Sequence, residues 1–548
     1  MVSYSKFSSS LTCDACKILV KGLDDLIQSN LTEAEIVDIA TVVCIAAKIE
    51  SERVCRYGVR EFKDEVFGVL VGHYASPDQI CGSILGDSCA VPYDPNSDWN
   101  ITLLNTTKPP VVVPKPPKSG SPVVKIVQLS DIHYDRMYLE GSNAECGEPI
   151  CCRSNDGQPA PGVPGAGKWG DHRGCDAPLR LIENLLQHLA KNQEFHIIYL
   201  TGDFPAHDVW NQTRNDQISV LKDITNLLLK YLPTVKVYPA LGNHEGVPVN
   251  AFPPPYVTGK NSGEWLYQTM VTEWISSAKW LPSDAQDDIM RGGYYSTLAM
   301  PGLRVVSLNM NMCGKGNWWL YINETDPAGQ LQWLINVLQK AEDNKEKVHI
   351  LGHIPPGGTC LKAWSWNYYR IVNRYENTIT GQFFGHKHKD TFEIFYDEKT
   401  MSRPLSVDYI AGSVTPNGQV NPSYRVYEVD GNYTGTSWLQ MILDHQTYIL
   451  YITEANLTDK PVWKLEYSAK MAYGMSSLLP SEWNNVVNKL ENDNALFQKY
   501  YQYYFKSYVT SACDTKCKAK MICSLKKGRS HDKTLCDEEE YGLQYMVC

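Results

Sequence analysis

Five strand-like segments of this chain each end in aspartate, asparagine or histidine, and this pattern constrains the fold more than any other feature. The runs VVKIVQLS, FHIIYL, VKVYPAL, KVHILGH and GQFFGH are rich in β-branched and aromatic residues, as expected of buried strands. Helical patterns such as LRLIENLLQHLA separate several of them, which predicts a layered α/β domain. Ligands collect at the carboxyl ends of strands in open α/β sheets. The sequence therefore predicts a site built from these strand ends.

The strand ends supply oxygen and imidazole donors in short motifs. SDIHYD follows the first strand, TGDFPAHD the second and GNHE the third, while the fourth and fifth end in GH and GHKHKD. Two donors that are two residues apart lie on one side of an extended backbone, so both can bind one ion. Carboxylate, amide and imidazole groups suit zinc, manganese or iron rather than a thiolate site. The alternative for a single motif is an ordinary turn, but five motifs in register favour a metal centre.

Together these motifs resemble the calcineurin-like metallophosphoesterases, over residues 123 to 430. The resemblance implies a β-sandwich flanked by helices, with two metal ions, zinc by preference, bridged by Asp203. It assigns the first ion to Asp131, His133, Asp203 and His388, and the second to Asp203, Asn243, His353 and His386. The chain departs from the common family pattern after Gly-Asp, where it continues FPAHD.

A separate all-α domain is predicted at residues 1–90. Apolar residues recur at helical spacing over 13–28, and further helical patterns lie around 34–49 and 59–72. Six cysteines are spread over these helices, and their spacing alone allows fifteen connectivities. The arrangement resembles the saposin B-type domain, which binds and loosens lipid bilayers. That resemblance implies the pairs Cys13–Cys89, Cys16–Cys81 and Cys44–Cys55. The alternative is a disulfide-stapled cap without lipid affinity.

A proline-rich spacer separates the helical domain from the rest. Residues 108–122, KPPVVVPKPPKSGSP, must be largely extended, and we assign residues 91–122 as a linker. A catalytic domain at 123–430 is followed by a C-terminal region at 431–548. We expect that region to be helical and stapled by disulfides, because apolar and aromatic residues recur at helical spacing from 483 to 504.

Cysteines and sequons indicate a secreted or lysosomal protein. The chain has 17 cysteines, and Asn-x-Ser/Thr acceptors matter only in the secretory pathway. An odd number leaves one cysteine without an intrachain partner, and Cys548 is the candidate, with an interchain pairing as the alternative. We expect glycosylation at Asn30, Asn100, Asn105, Asn211, Asn323, Asn432 and Asn456. The net charge of -10 argues against nucleic acid as a partner.

Nearly the whole chain resembles the acid sphingomyelinase family. The resemblance rests on the saposin-like segment, the spacer, FPAHD, WSWNYYR at 364–370 and the C-terminal cysteines. It implies hydrolysis of sphingomyelin to ceramide and phosphocholine at acidic pH, by attack of a metal-bridged hydroxide on the phosphodiester. It also implies the pairs Cys146–Cys151, Cys152–Cys175, Cys313–Cys360, Cys513–Cys517 and Cys523–Cys536, with Cys548 free.

Two histidines lie beside the predicted ligands without being ligands themselves. The leaving ceramide alkoxide needs a proton, so His207 and His244 are the candidate catalytic residues. The alternative for His207 is a group that orients a ligand. We expect Asp208 and Glu245 to orient ligands or cap helices. The aromatic rings of WSWNYYR suit a quaternary ammonium, although core packing is favoured.

We expect the helical domain to engage sphingomyelin bilayers that contain anionic lipids, and the chain to be a monomer. Residues 1–90 carry 13 acidic and 8 basic side chains, so a low pH weakens the repulsion from anionic lipid. Two other functions stay open: a phosphodiesterase for soluble nucleotides, and a lipid-transfer protein with a structural metal. The second is disfavoured because no predicted ligand is a thiolate.

Overall fold

The computed structural model describes residues 12–72, 75–85, 89–90, 98–111, 113–192, 194–436 and 441–536. Cys548, the cysteine expected to be free, lies outside them. No helix in this described part of the chain combines the length and the apolar character needed to cross a membrane.

Four helices form the N-terminal domain: α1 (Cys13–Ile27), α2 (Glu33–Ala46), α3 (Glu52–Leu70) and α4 (Pro77–Leu85). Thr12, Thr32 and Ser51 cap the first three, because each side chain accepts a hydrogen bond from a first-turn backbone N–H. Ser51 also explains why α3 begins before the predicted span at 59. The apolar pattern of this helix is weak in its first turn, where the cap rather than the periodicity defines the start.

Twelve strands are described in the rest of the chain: β1 (Val123–Leu129), β2 (Ile197–Leu200), β3 (Lys236–Pro239), β4 (Tyr295–Met300), β5 (Leu303–Ser307), β6 (Lys347–Leu351), β7 (Ile379–Phe384), β8 (Thr391–Tyr396), β9 (Pro404–Ile410), β10 (Ser423–Asp430), β11 (Ile442–Leu450) and β12 (Trp463–Ser468). They form two six-stranded sheets, in the orders β12-β11-β10-β1-β2-β3 and β4-β5-β6-β7-β9-β8. Strands β1, β2 and β3 run parallel, as do β5, β6, β7 and β9.

The two sheets pack face to face as a sandwich. Phe383 of β7 lies with its ring centroid 5.0 Å from that of Tyr199 on β2 and 4.8 Å from that of Tyr427 on β10. The Tyr199 hydroxyl is 2.7 Å from Nδ1 of His349 on β6, which ties the sheets by a polar contact as well. The expected β-sandwich fold is therefore confirmed.

Helices cover the outer faces of the sandwich. They are α5 (Leu179–Lys191), α6 (Arg214–Tyr231), α7 (Glu264–Met270), α8 (Gln286–Gly292), α9 (Gln330–Asp343), α10 (Lys362–Arg374), α11 (Ile452–Thr458), α12 (Ala469–Tyr473), α13 (Pro480–Asn492), α14 (Asn494–Tyr504) and α15 (Thr515–Leu525). A π-helix at Val271–Ser277 follows α7, and short 3-10 helices lie at Gly259–Asn261, Ser283–Ala285, Met310–Met312, Trp318–Tyr321 and Pro327–Gly329.

The region after residue 430 combines strands with the predicted helices. β11 and β12 pair antiparallel in the first sheet next to β10, so that sheet continues across the boundary drawn at 430. The sequence pattern did not predict these two strands. Two buried positions of β11 are the polar residues His445 and Thr447, which hide the alternation of apolar and polar residues.

All eight disulfides implied by the resemblances are present in the structure. They are Cys13–Cys89, Cys16–Cys81, Cys44–Cys55, Cys146–Cys151, Cys152–Cys175, Cys313–Cys360, Cys513–Cys517 and Cys523–Cys536. Three of them staple the helical domain, and two tie the loops between β1 and α5.

The linker packs on the catalytic domain where it is described. The Ile101 N–H donates to Oδ1 of Asn367 at 2.8 Å, and Asn377 Nδ2 donates to the Pro109 carbonyl at 3.1 Å. Both partners lie on or just after α10. The helical domain is docked as well, since Arg53 of α3 donates from Nε to both carboxylate oxygens of Glu148, at 3.0 and 3.1 Å.

Candidate metal centre

The carboxyl ends of five strands meet at one edge of the sandwich and bring the predicted donors together. At five of these donors the backbone lies in the left-handed region, with φ of 51° at Asp131, 45° at His133, 59° at Asp203, 70° at His386 and 56° at His388. This conformation is uncommon for residues other than glycine and costs of order 1 kcal/mol or more each. The folded state is therefore less stable by these strain energies, and in return the side chains point to one place.

The first group of donors consists of Asp131, His133 and His388, with Asp203 beside it. Nε2 of His133 is 3.1 Å from Nε2 of His388 and 3.4 Å from Oδ2 of Asp203. Nε2 of His388 is 3.4 Å from Oδ1 of Asp131. All four side chains are buried or nearly so, which leaves little room for water to form hydrogen bonds with these donor atoms.

The second group consists of Asp203, Asn243, His353 and His386. Nε2 of His353 is 3.0 Å from Oδ2 of Asp203 and 3.1 Å from Oδ1 of Asn243. Nδ1 of His386 is 2.9 Å from the same Asn243 oxygen. Asp203 therefore lies between the two groups, where the predicted bridging ligand belongs.

Backbone carbonyls fix which nitrogen of three histidines faces the centre. Nδ1 of His133 lies 2.8 Å from the Pro205 carbonyl, Nδ1 of His353 2.7 Å from that of Thr201, and Nδ1 of His388 3.0 Å from that of Asn417. A carbonyl accepts only, so Nδ1 must carry the proton in each ring. In a neutral ring, Nε2 then presents its lone pair to the centre.

The electrostatics of this cluster fit a bound cation. Burial, together with the nearby His207, lowers the pKa of His133 to about 3, so its Nε2 lone pair faces that of His388. Burial alone would lower the pKa of His353, but the charge and hydrogen bond of Asp203 outweigh burial and raise it to about 9. A proton on His353 thus offsets the Asp203 charge. Divalent cations held by the same atoms would replace that proton and separate the facing lone pairs.

Two glycines allow the strand ends to approach this closely. A Cβ added at Gly242 would lie 2.1 Å from Oδ1 of Asp203, and one at Gly385 would lie 1.9 Å from Oγ of Ser130. Glu245 supports the same region, because its carboxylate accepts the backbone N–H of Asp203 at 3.1 Å and of Phe204 at 2.6 Å. Its role is to hold the loop that carries Asp203.

His207 and His244 lie at the edge of the first group. The His207 ring stacks on His133 with centroids 3.8 Å apart, and the His244 ring meets His207 edge-on at 4.5 Å. Oδ2 of Asp203 is 4.0 Å from Nε2 of His244, whose Nδ1 has no hydrogen-bond partner among the described residues. His133, His207 and His244 also form a group whose donor atoms lie within 4.8 Å of one another, so both side chains border the first group of donors.

Asp176 orients His207, and the sequence analysis missed it. Its carboxylate accepts from the His207 N–H at 2.7 Å and lies 2.8 Å from Nδ1 of the same ring. Asn417 Nδ2 and Thr415 Oγ1 also donate to Oδ1 of Asp176. Asp176 follows Cys175 in a disulfide-rich loop without a regular pattern, so no periodicity or motif singles it out.

Asp208 and the aromatic helix lie outside the centre. Asp208 pairs with Arg153 at 2.7 Å. Within WSWNYYR, the α10 residues Trp364, Tyr368 and Tyr369 are buried in the hydrophobic core. The guanidinium of Arg529 lies 3.9 Å from the ring centroid of Trp366. A protein cation thus takes the ring face of Trp366 that was considered for a ligand.

The fold and the site together define a metallophosphoesterase with a divalent metal centre. The family model described as calcineurin-like phosphoesterase matches residues 124–390. A second model, for the C-terminal region of acid sphingomyelin phosphodiesterase, matches residues 404–540. The chain is therefore a hydrolase whose catalytic domain extends into a C-terminal region of a known type.

Relatives that cover most of the chain identify the family. The sphingomyelin phosphodiesterase of Bos taurus is 47% identical over 529 residues, which cover 96% of this chain and 84% of that protein. Its counterpart in Homo sapiens is also 47% identical and is covered to 83%. The cyclic GMP-AMP phosphodiesterase of Rattus norvegicus is 33% identical and covers 76% of this chain and 92% of its own length. The chain belongs to the sphingomyelin phosphodiesterase family.

Proposed function

We propose that this chain hydrolyses sphingomyelin to ceramide and phosphocholine at acidic pH, with two zinc ions as cofactor. The observation that carries the proposal is the convergence of seven oxygen and imidazole donors, five buried and two partly buried, arranged as two groups around Asp203. The sphingomyelin phosphodiesterases that are 47% identical over 96% of the chain support this substrate.

The donor set determines which chemistry the centre supports. Carboxylate, amide and imidazole ligands suit zinc, and two bound ions would lower the pKa of a water molecule and offset the charge of a phosphodiester. The ligands proposed are Asp131, His133, Asp203, Asn243, His353, His386 and His388. The chain itself contributes the spacing of the two groups and the carbonyl contacts that orient three of the imidazoles.

His207 is proposed as the general acid for the leaving alkoxide. Asp176 holds its Nδ1 at 2.8 Å, which leaves Nε2 to carry the proton toward the leaving oxygen. A carboxylate in this position stabilises the imidazolium and fixes the ring orientation. His244 is proposed to contact the phosphate, because its Nδ1 is buried without a protein partner among the described residues.

The helical domain is proposed to engage the bilayer, including anionic lipids. Several large apolar side chains are exposed on it: Ile18 (71%), Val42 (64%), Val71 (57%), Tyr57 (49%) and Val43 (38%). Transfer of one such side chain out of water contributes about 1.5–3 kcal/mol. The alternative, a helical cap without lipid affinity, leaves this exposed apolar surface without a role.

We propose a lysosomal or secreted monomer that carries N-linked glycans. Eight disulfides support an oxidising compartment. The Asn side chains of six sequons are exposed, whereas Asn456 is half-buried.

The test compares two substrates at about pH 5, where histidine is mostly protonated. The first is sphingomyelin in vesicles, followed by phosphocholine release, and the second is soluble bis-p-nitrophenyl phosphate. The double variant Ile18→Glu/Val42→Glu removes exposed apolar contacts from the helical domain. Its matched control is Leu457→Glu/Met471→Glu, which changes two side chains of the C-terminal region that are 83% and 81% exposed.

The double variant in the helical domain is expected to lose about tenfold or more on vesicles, as the free energy of the lost contacts requires, and to keep its rate on the soluble ester. The control should match the wild type on both. Equal vesicle rates for wild type and double variant would overturn bilayer engagement. Cleavage of the soluble ester alone by the wild type would favour a nucleotide-type phosphodiesterase, and no cleavage of either a transfer protein.

A further inference from the structure

Helix α3 of the helical domain packs against the segment that carries His207. Val54 and Phe62 of α3 belong to one apolar cluster with residues on both sides of His207. The other members of this cluster are Ile150, Ala206, Val209, Trp210 and Val249. Each of these five is at most 8% exposed, so the contact is a small core in its own right.

The backbone of α3 lies directly on Trp210. A Cβ added at Gly58 would lie 3.5 Å from Cβ of Trp210, which is ordinary van der Waals contact. An alanine therefore fits at position 58, whereas a larger side chain would have to displace Trp210 or tilt the helix. Trp210 is three residues from His207, and Nε2 of Gln212 donates to the Ala206 carbonyl at 2.7 Å, which ties the two ends of this segment together.

On its other side the same segment is held at the metal centre. The carboxylate of Asp176 accepts from the His207 N–H at 2.7 Å and meets Nδ1 at 2.8 Å. Asp176 thus holds His207 on one side of its segment, while α3 packs on the other side of the same segment. Because proton transfer needs its groups within hydrogen-bond reach, a displacement of about 1 Å costs a large part of the rate.

We propose that docked helix α3 is a positioning element for His207, so that the helical domain sets the proton transfer to the leaving group in addition to its contact with lipid. This inference rests on the proposed role of His207 as general acid. The positioning residues are Val54, Gly58 and Phe62, and they act through Trp210.

A second contact of α3 provides a matched control. A Cβ added at Gly68 would lie 2.5 Å from the ring of Trp319, and Oε1 of Glu65 accepts from the Trp318 N–H at 3.0 Å. This contact lies ten residues further along the same helix and touches a 3-10 helix that carries no catalytic group. Gly68→Ala therefore strains the contact with Trp319 without pushing on the His207 segment.

The experiment uses the full chain and two soluble substrates, so that bilayer binding plays no part. Bis-p-nitrophenyl phosphate releases a weakly basic phenolate that needs little protonation, whereas a short-chain sphingomyelin releases an alkoxide that needs a proton. The variants are Gly58→Leu, which pushes on Trp210, and Phe62→Ala, which empties part of the contact. Gly58→Ala and Gly68→Ala are the controls, and His207→Ala is the reference. Thermal melts identify any variant that fails to fold, in which case the other one carries the test.

Gly58→Leu and Phe62→Ala are expected to lower kcat on short-chain sphingomyelin about tenfold or more and to change kcat on the phenyl ester less than about twofold, the pattern of a lost general acid. Gly58→Ala should behave as wild type, and Gly68→Ala should change both substrates by one factor. Equal losses on both substrates, or no loss on either, for folded Gly58→Leu or Phe62→Ala would overturn the inference. If His207→Ala itself shows no selective loss, the general-acid role fails instead.

Discussion

Nε2 of His133 lies 3.1 Å from Nε2 of His388, and each ring is bound through its Nδ1 to a backbone carbonyl. With Nδ1–H donating to the carbonyl, neither neutral ring has a proton left between the facing nitrogens. Such a pair is stable in a buried site when a cation lies between the lone pairs.

His388→Ala is expected to bind about one ion less per chain. Its activity should fall more than about 100-fold, because loss of a ligand costs more than the roughly 10- to 100-fold of losing a residue that only orients one. The measurement is elemental analysis of the dialysed protein. His172→Ala is the matched control, because this buried histidine stacks on Tyr508 at 3.6 Å, outside the centre. Full metal content in His388→Ala would contradict the ligand assignment.

Asp176→Asn is expected to lower kcat on sphingomyelin by about 10- to 100-fold with little change in KM, because it orients His207 without touching substrate. The amide keeps the size of the side chain but no longer stabilises an imidazolium at Nδ1. Asp171→Asn, in the same loop but paired with Arg173 at 2.7 Å, serves as control. A wild-type kcat in Asp176→Asn would refute the orienting role.

The buried carboxyl of Glu65 makes the stability of the folded chain depend on pH. Burial at the contact with the Trp318–Tyr321 helix raises the pKa of Glu65 to about 8 from 4.5, although backbone N–H groups of that helix oppose the shift. Below about pH 4.5 the carboxyl is protonated in both the folded and the unfolded state and favours neither. Between 4.5 and 8 the unfolded state loses its proton first, so the folded state loses stability as pH rises.

Glu65→Gln is expected to remove this loss, so that its Tm exceeds that of the wild type increasingly from pH 5 to pH 8, by ~2 °C or more at the upper end. Thermal melts over that range are the measurement. Glu52→Gln, an exposed site on the same helix, should give a curve parallel to the wild type. A constant difference between Glu65→Gln and wild type would show that ionisation of Glu65 has no part in stability.

The sequon predicts a glycan at Asn456, but the structure leads us to expect none there, unlike at the other six sequons. Its Nδ2 donates to the Gly170 carbonyl at 2.9 Å and its Oδ1 accepts from the Trp169 N–H at 2.8 Å. A Cβ at Gly167 would lie 2.2 Å from that Nδ2, so the amide has no room for a sugar. Mass spectrometry of tryptic glycopeptides tests this, and full occupancy at Asn456 would show that the 165–170 loop moves.

The grouping of the candidate ligands could be predicted from the sequence because they follow recognisable strands. Asp131 and Asp203 come directly after apolar runs whose ends must meet in a parallel sheet, and the histidine motifs repeat that relation. The disulfides followed from resemblance rather than from spacing. Local patterns and family motifs agree here, which is why both the fold and the donor set could be stated in advance.

What surrounds the ligands could not be predicted in the same way. The carbonyls of Thr201, Pro205 and Asn417 act through the backbone, which leaves no signature in residue type. Asp176 meets His207 only through tertiary folding, 31 residues away along the chain. The contact of Gly58 with Trp210 joins two domains, and no periodicity within either one reports it.

The two-metal hydrolase is tested by phosphocholine release from sphingomyelin vesicles at about pH 5, where histidine is mostly protonated, by the wild type and by Asp203→Asn. Asp203 lies within 3.4 Å of donors from both groups, so its loss should disable the whole centre. We expect steady release by the wild type, loss on chelation with recovery on added zinc, and more than about 1,000-fold less release by Asp203→Asn. Absence of release by the metal-loaded wild type, or undiminished release by Asp203→Asn, would contradict this expectation.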